Sequence, residues 1–156
     1  MHSRVQLVQS STSSLLKVMK SFVYFCLIAQ YVAVMSMETV VVENAGSSGV
    51  NGLYEERDPS EIPGGFAFAC KNMNWDSVVM WDQLTNKKSP WFEKEDGSYI
   101  YFNRGDGKWW IDNSEGGGVY IAQAETGTPR FPEQKGYKLL PGAMKPAPNV
   151  HLVPKA

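Results

Sequence analysis

Short apolar runs separated by turn residues dominate the chain after Met37. Phe66–Cys70 alternates large and small side chains, which is typical of a strand with one packed face. β-Branched residues and prolines or glycines at the ends of the other runs favour strands as well. The strands that this pattern predicts are Thr39–Val42, Val50–Tyr54, Phe66–Cys70, Val78–Trp81 and Trp91–Glu93.

The clearest predicted element is a hairpin. Tyr99–Asn103 and Lys108–Asp112 are rich in aromatic and β-branched residues, and a Gly/Asp turn joins them. Val119–Ala122 predicts a third strand, and no stretch after Met37 keeps a helical period over ten residues. The fold class expected is therefore all-β: a single small antiparallel β-meander or sandwich-like domain.

The C-terminal tail is rich in proline. Proline lacks the backbone N–H that a helix or a central strand needs, so the tail is expected to wrap the sheet in extended form. The prolines concerned are Pro129, Pro132, Pro141, Pro146, Pro148 and Pro154.

The N-terminal segment predicts a signal peptide. Lys17 and Lys20 precede an apolar run, Phe22–Met35, which is about as long as a signal-peptide core and short for a membrane span. We expect residues 1–36 to be removed, with Met19 as an alternative start. Residues 37–49 then form a short strand and linker, and residues 50–153 the all-β domain. The alternatives are an uncleaved anchor and a buried helix.

Composition and charge narrow the class of function. Apolar residues make up 43% of the 156 residues and charged residues 20%, which is a globular balance. Three of the 15 basic residues and none of the 16 acidic ones precede Met37, so the rest of the chain carries a net charge of -4. Nucleic acid and anionic membranes are poor partners for such a domain. The expected location is extracellular, without membrane insertion after cleavage.

Several short motifs resemble a small module that recurs in multidomain proteins of marine algae and invertebrates. In order along the chain they are Val50–Tyr54, Trp109–Ile111, Val119–Ala122, Gly136–Tyr137 and Pro146–Pro148. The resemblance covers about residues 46 to 153. It implies a compact β-meander used as an interaction or structural unit, with no activity attached to it.

An aromatic face is the first candidate binding site. Trp109 and Trp110 are adjacent, so their side chains must point to opposite faces of a strand. One outer face of the hairpin could stack on sugar rings or on a partner's apolar surface. The residues predicted to bind a ligand are Tyr99, Tyr101, Trp109, Trp110 and Tyr120. Alternatively, the proline-rich tail covers this face and the rings only pack.

The hairpin tip is the second candidate. Arg104, Gly105 and Asp106 would present a guanidinium and a carboxylate on a tight turn, an arrangement that integrins recognise in extracellular proteins. The competing interpretation is ordinary turn chemistry, in which glycine supplies a positive φ and Asp106 accepts hydrogen bonds from the backbone.

Cys70 is the one cysteine that remains after signal cleavage, because Cys26 lies in the signal core. A lone thiol in a secreted chain suggests an intermolecular disulfide, and hence a homodimer, or a buried and inert side chain.

Most kinds of catalysis are poorly provided for. His151 is the only histidine after Met37, and neither a metal-binding motif nor a phosphate-binding glycine loop occurs. We expect no cofactor, no metal and no enzymatic activity. The function predicted is a secreted binding or extracellular-matrix protein that acts on an extracellular protein or glycan. The alternatives are a small lectin-like carbohydrate binder and an adhesive or venom-type protein.

Overall fold

The computed structural model describes residues 38–154, and the predicted signal peptide lies outside them. Eight strands form one curled antiparallel sheet in the order β7-β6-β5-β4-β3-β2-β1-β8. The strands are β1 (Glu38–Glu43), β2 (Gly52–Arg57), β3 (Trp91–Glu93), β4 (Tyr99–Asn103), β5 (Lys108–Asp112), β6 (Gly118–Gln123), β7 (Lys138–Leu139) and β8 (Asn149–Pro154). The predicted all-β fold is confirmed.

The sheet is a meander from β1 to β7, and β8 returns to lie beside β1. β2 changes partner along its length: its first half pairs with β1 and its second half, Glu55–Arg57, pairs with β3. At the far side, the backbone N–H of Val150 in β8 donates to the carbonyl of Gln134, just before β7, at 3.2 Å. The sheet therefore curls until its two ends approach each other.

The concave side of the sheet encloses the larger of two apolar clusters, called the inner core here. Trp109 lies at its centre, fully buried, with the ring of Phe102 at 5.8 Å and that of Phe92 at 6.2 Å between centroids. Alternate residues of every long strand point into this space, as a period of two requires. Further members are Val40, Val42, Tyr54, Ile100, Ile111, Tyr120, Ala122 and Val150.

Two short helices cover the convex side of β4 and β5, called the outer face here. They are α1 (Gly64–Asn72) and α2 (Ser77–Leu84). The prediction of strands over Phe66–Cys70 and Val78–Trp81 is therefore wrong. Phe66, Ala69, Cys70 and Met73 are spaced i, i+3, i+4, i+7, and this longer helical period overrides the alternation seen within five residues.

Local chemistry explains where these helices lie. The carboxylate of Asp76 caps α2 by accepting hydrogen bonds from the N–H groups of Val78 and Val79, at 2.9 and 3.1 Å. Helix α1 approaches the β5–β6 loop so closely that a Cβ on Gly116 would stand 2.5 Å from the carbonyl oxygen of Gly65. Gly116 also has a φ of +79°, which glycine adopts far more readily than other residues. The close contact and the backbone conformation therefore both exclude a side chain at this position.

The C-terminal tail consists of β7 and β8 with turns and bends between them, and it lies against the inner core rather than over the outer face. Ala143, Ala147 and Leu152 pack against the inner core, together with a short 3-10 turn, Ser48–Val50. The hydroxyl of Tyr120 donates to the carbonyl of Met144 at 2.6 Å, which ties the tail to β6. Neither helix within residues 38–154 has the length and apolarity that crossing a membrane requires.

Matched isoleucines test the assignment of the two faces. Ile111 is fully buried in the inner core, whereas Ile121 lies on the outer side and is partly exposed. Ile111→Ala should lower the free energy of unfolding by about 3 kcal/mol and Ile121→Ala by roughly 1 kcal/mol. Urea denaturation followed by tryptophan fluorescence measures both. Equal losses would show that the faces are assigned wrongly.

Candidate functional site

A small cavity of about 160 Å³ lies between the two helices and the outer face of the sheet. We call it the Asp112 pocket. Its lining is mainly apolar, and its polar side-chain groups are a thiol, a phenol, two indole N–H groups and one carboxyl group. The lining residues are Phe66, Ala69, Cys70, Met73, Trp75, Met80, Leu84, Tyr101, Trp110, Asp112, Gly116 and Gly118.

Each element contributes one face to the pocket. Phe66, Ala69 and Cys70 of α1 form one wall together with Met73, which caps the helix. Met80 and Leu84 of α2, spaced i, i+4, form another wall. Trp75, in the link between the helices, is 53% exposed, and Met73 is 55% exposed. These two side chains therefore stand where the pocket meets solvent.

Asp112 is the one acidic side chain in the lining, and it is 4% exposed. It lies directly across from Tyr99 in the β4–β5 register, and the Tyr99 hydroxyl donates to Oδ2 of Asp112 at 3.0 Å. The other oxygen, Oδ1, is buried and has no hydrogen-bond partner. Within the described residues no Lys, Arg or His forms an ion pair with Asp112.

Burial dominates the ionisation of this carboxyl group. Loss of hydration raises the pKa of Asp112 to about 7, although the hydrogen bond from Tyr99 acts in the opposite direction. Burial, followed by the nearby Asp112 charge, raises the pKa of both Tyr99 and Tyr101. Both phenols therefore remain neutral at physiological pH, and Asp112 changes its charge close to neutrality.

The thiol of Cys70 also faces this pocket and is 3% exposed. Burial, with a further contribution from Asp76, raises the pKa of Cys70 above its usual range. A neutral, covered thiol is a weak nucleophile. The intermolecular disulfide predicted for Cys70 would require this side chain to become exposed.

A β-bulge in β6 positions the strand beside Asp112. Ile111 pairs with Tyr120, but Asp112 pairs with Gly118, so Val119 is an extra residue in β6. The partner opposite Asp112 therefore has no side chain. A Cβ on Gly118 would also stand 2.9 Å from the Trp110 ring, so any larger residue would displace a wall of the pocket.

The five aromatic residues predicted to bind a ligand lie on both faces of the sheet. Trp109 and Tyr120 are fully buried in the inner core. Tyr99 and Tyr101 lie on the outer face, buried beneath the helices. Trp110 is partly exposed and lines the Asp112 pocket. The helices, not the tail, provide the cover.

At the hairpin tip, the charged groups of Arg104 and Asp106 both have partners within the domain. The Nε–H of Arg104 donates to the carbonyl of Gln83 at 2.9 Å. The Asp106 carboxylate accepts from Trp110 Nε1 at 3.1 Å and from the backbone N–H of Lys108 at 3.1 Å. Gly107 has a φ of +69°. The observed contacts are those of turn chemistry, and the adhesive role remains a prediction.

A wider groove of about 970 Å³ lies along β2 and β3. Several of its ionic side chains are already paired: Arg57 bonds to Glu93 at 2.9 Å and Lys94 to Asp96 at 2.7 Å. No group of three or more His, Cys, Asp or Glu side chains within residues 38–154 is placed to hold a metal ion. The Asp112 pocket is smaller and less open than this groove, and it includes a buried carboxyl group with one oxygen that has no partner.

Comparison of the chain with protein-family models, with curated proteins and with solved structures finds no match. The resemblance to the recurrent algal and invertebrate module therefore stays a prediction.

Asp112, Cys70, Met73 and Trp75 form a site that the sequence analysis did not assemble. The helical spacing of Phe66, Ala69, Cys70 and Met73 was a usable signal for one wall. Asp112 follows three apolar residues, Trp109–Ile111, in the predicted strand. This position was a weaker signal for the carboxyl group of the pocket.

The ionisation of Asp112 predicts a pH-dependent stability. The folded protein keeps this proton up to about pH 7, whereas the reference value of the carboxyl is 3.8, so stability falls as the pH rises across that interval. Asp112→Asn removes the effect. Between about pH 5 and pH 7, the free energy of unfolding of the variant should increase by about 2 kcal/mol relative to that of the unsubstituted protein. Urea denaturation measures this difference.

Asp96→Asn is a control variant, because the pKa of Asp96 is shifted in the direction opposite to that of Asp112. Burial alone would raise the pKa of Asp96, but hydrogen bonds from Lys94 and Ser98 outweigh it and hold the pKa below its usual range. Its stabilising contribution is present at neutral pH and is lost in acid. Asp96→Asn should therefore destabilise the protein at neutral pH. A pH-independent difference for Asp112→Asn would contradict the raised pKa.

Proposed function

We propose that this chain is a secreted, non-catalytic binding protein that takes a small ligand into the Asp112 pocket. The observation that carries the proposal is that Asp112, a buried carboxyl group whose Oδ1 has no partner, is among the residues that line a ligand-sized, mainly apolar cavity. Concave apolar sites with a few convergent polar groups are the usual form of small-molecule sites.

The energetics of Asp112 support a binding role. A buried carboxylate with one unsatisfied oxygen destabilises the folded state, and residues of this kind are concentrated at functional sites. A ligand that donates to Oδ1 would supply the missing partner and would stabilise the fold through its binding energy. The carboxyl group then acts as the polar contact that orients the ligand.

The size of the pocket limits what can enter. A cavity of about 150 Å³ lined by apolar side chains holds a benzene molecule. The Asp112 pocket, at about 160 Å³, therefore suits one aromatic ring or a short alkyl chain. Its apolar walls favour a ligand with an apolar body, and the exposed Trp75 and Met73 leave a route from solvent.

The lack of a histidine or cationic side chain in the lining around Cys70 supports the non-catalytic part of the proposal. The pocket lining includes no His, Lys or Arg, and the pKa of the thiol is raised by burial. His151 lies on β8, and four strands separate β8 from β5 in the order of the sheet. Activation of a cysteine usually needs a nearby base or positive charge.

Secretion rests on the N-terminal sequence. Lys17 and Lys20 followed by the apolar run Phe22–Met35 form the charged and apolar regions of a signal peptide. Small residues at Val34 and Ser36 suit cleavage after Ser36. The proposed ligand would therefore be extracellular.

Benzyl alcohol is a suitable neutral probe of the pocket. Trp75 and Trp110 line it, whereas Trp109 is buried in the inner core. Titration followed by NMR should shift the indole N–H signals of Trp75 and Trp110 and leave that of Trp109 unchanged. Uniform shifts, or no shift at saturation, would contradict binding in the pocket.

Trp75→Ala and Met144→Ala form a matched pair for this experiment. Both side chains are more than half exposed, at 53% and 59%, so neither loss should alter stability much. Only Trp75 lines the pocket. Trp75→Ala should weaken benzyl alcohol binding by about fivefold, and Met144→Ala should leave it unchanged.

Secretion has its own test. Protein recovered from the medium of expressing cells should have an intact mass that corresponds to a chain beginning near Met37. The same mass with and without reductant is expected, because the Cys70 thiol is covered. Full-length protein retained in the cells would contradict secretion, and a doubled mass without reductant would contradict a covered thiol.

A further inference from the structure

We infer that the ligand of the Asp112 pocket is a small organic cation, an ammonium group carried on an apolar body of about one ring. This inference rests on the proposed function and names its ligand class. It follows from the charge of the pocket, from the chemistry of its walls and from the single free oxygen of Asp112.

The pocket has one charged group and no countercharge. Tyr99 occupies Oδ2 of Asp112, at 3.0 Å, and Oδ1 has no partner. No cationic side chain is present in the lining. A neutral donor could satisfy Oδ1, but a cation also compensates the buried negative charge, and hydrogen bonds between charged groups are roughly twice as strong as neutral ones.

Aromatic walls favour the same class of ligand. Phe66, Tyr101, Trp75 and Trp110 all line the cavity. The faces of such rings attract ammonium groups, and the attraction is strongest where water is excluded. A carboxylate combined with several aromatic rings therefore selects for a cation over an anion or a neutral polar molecule.

The remaining lining residues fit the ligand's apolar body. Met80 and Leu84 of α2 provide aliphatic surface, and Met73 lies beside the route from solvent. Methionine side chains adapt their shape and make favourable contacts with rings. A ligand with its ammonium group against Oδ1 would place its ring among these side chains.

Recognition of a cation requires the ionised form of Asp112. The ionisable groups that face it are Tyr99 and Tyr101 on β4 and Cys70 on α1, while β6 presents Gly118 and α2 presents only apolar side chains to the pocket. Burial raises the pKa of all three groups, so they stay neutral near pH 7. Asp112, with a pKa of about 7, is then the group that changes charge near neutrality.

Benzylamine and benzyl alcohol are a matched pair of probes, because they share the ring and differ in the charge of the donor. Isothermal titration of the full chain at about pH 8 should give at least tenfold tighter binding of benzylamine, roughly the difference that a charged hydrogen bond makes. Asp112→Asn should abolish this preference, because the neutral amide offers no charge to the ammonium group.

The pH dependence provides a second readout. Between about pH 6 and pH 8 the affinity for benzylamine should rise roughly tenfold as the ionised fraction of Asp112 increases. The affinity for benzyl alcohol should not rise over the same interval. The indole N–H signals of Trp75 and Trp110 report whether each probe occupies the pocket.

The outcomes separate the inference from the proposed function. Binding of both probes with equal affinity would overturn the cation inference and leave the small-ligand pocket in place. Binding of neither probe would overturn the proposed function itself. A preference for benzylamine that persists in Asp112→Asn would show that another surface charge binds the amine, and would also overturn the inference.

Discussion

The burial of the β4–β5 hairpin on both faces is the constraint on which the rest of the structure depends. All five residues of β4 are buried. One set of alternate side chains fills the inner core around Trp109, and the other set, with Tyr99 and Tyr101, needs a cover on the outer face. Helices α1 and α2 supply that cover, because a sheet with two apolar faces is stable only when both are shielded from water.

The two helices pack closely on the outer face around Trp81 and leave a cavity beside Asp112. Trp81 of α2 packs edge-on against Phe66, with 5.0 Å between ring centroids, and lies 5.4 Å from Tyr101. Beside Asp112 a cavity of about 160 Å³ remains that no side chain fills. The pocket therefore arises where the helices and the bulged end of β6 fail to close over the last residue of β5.

Asp112 places a carboxyl group in the lining of this pocket. An apolar residue at this position would complete the outer cluster and avoid the cost of burying a carboxyl group. Instead the chain places there a group that Tyr99 satisfies on one side only. A destabilising residue at a cavity is expected of a binding site, because residues that recognise a ligand often lower the stability of the fold.

The hairpin and the all-β class could be predicted from the sequence because their signals are local. Aromatic alternation on Tyr99–Asn103 and the Gly/Asp turn act within a few residues of each other. The helices were missed because each is under ten residues long, so the first five residues of the Phe66–Met73 row also fit a period of two. The pocket depends on the register of Tyr99 with Asp112 and on the cover by α1, and neither contact is local.

The division of the aromatic residues shows the same limit. The opposite directions of Trp109 and Trp110 follow from strand geometry and are confirmed. Which of the two faces would be covered, and by which segment, depends on chain segments that are distant in sequence. Hydrophobic pattern alone could not assign the cover to residues 64–84 rather than to the proline-rich tail.

Direct titration of Asp112 tests the central claim, that a buried carboxyl group with one free oxygen lines this pocket. The ¹³C chemical shift of its carboxyl carbon can be followed by NMR from acid to mild alkali, with Asp112→Asn used to assign the signal. A midpoint near pH 7 is expected. A midpoint near 4, the ordinary value for a hydrated aspartate, would contradict it.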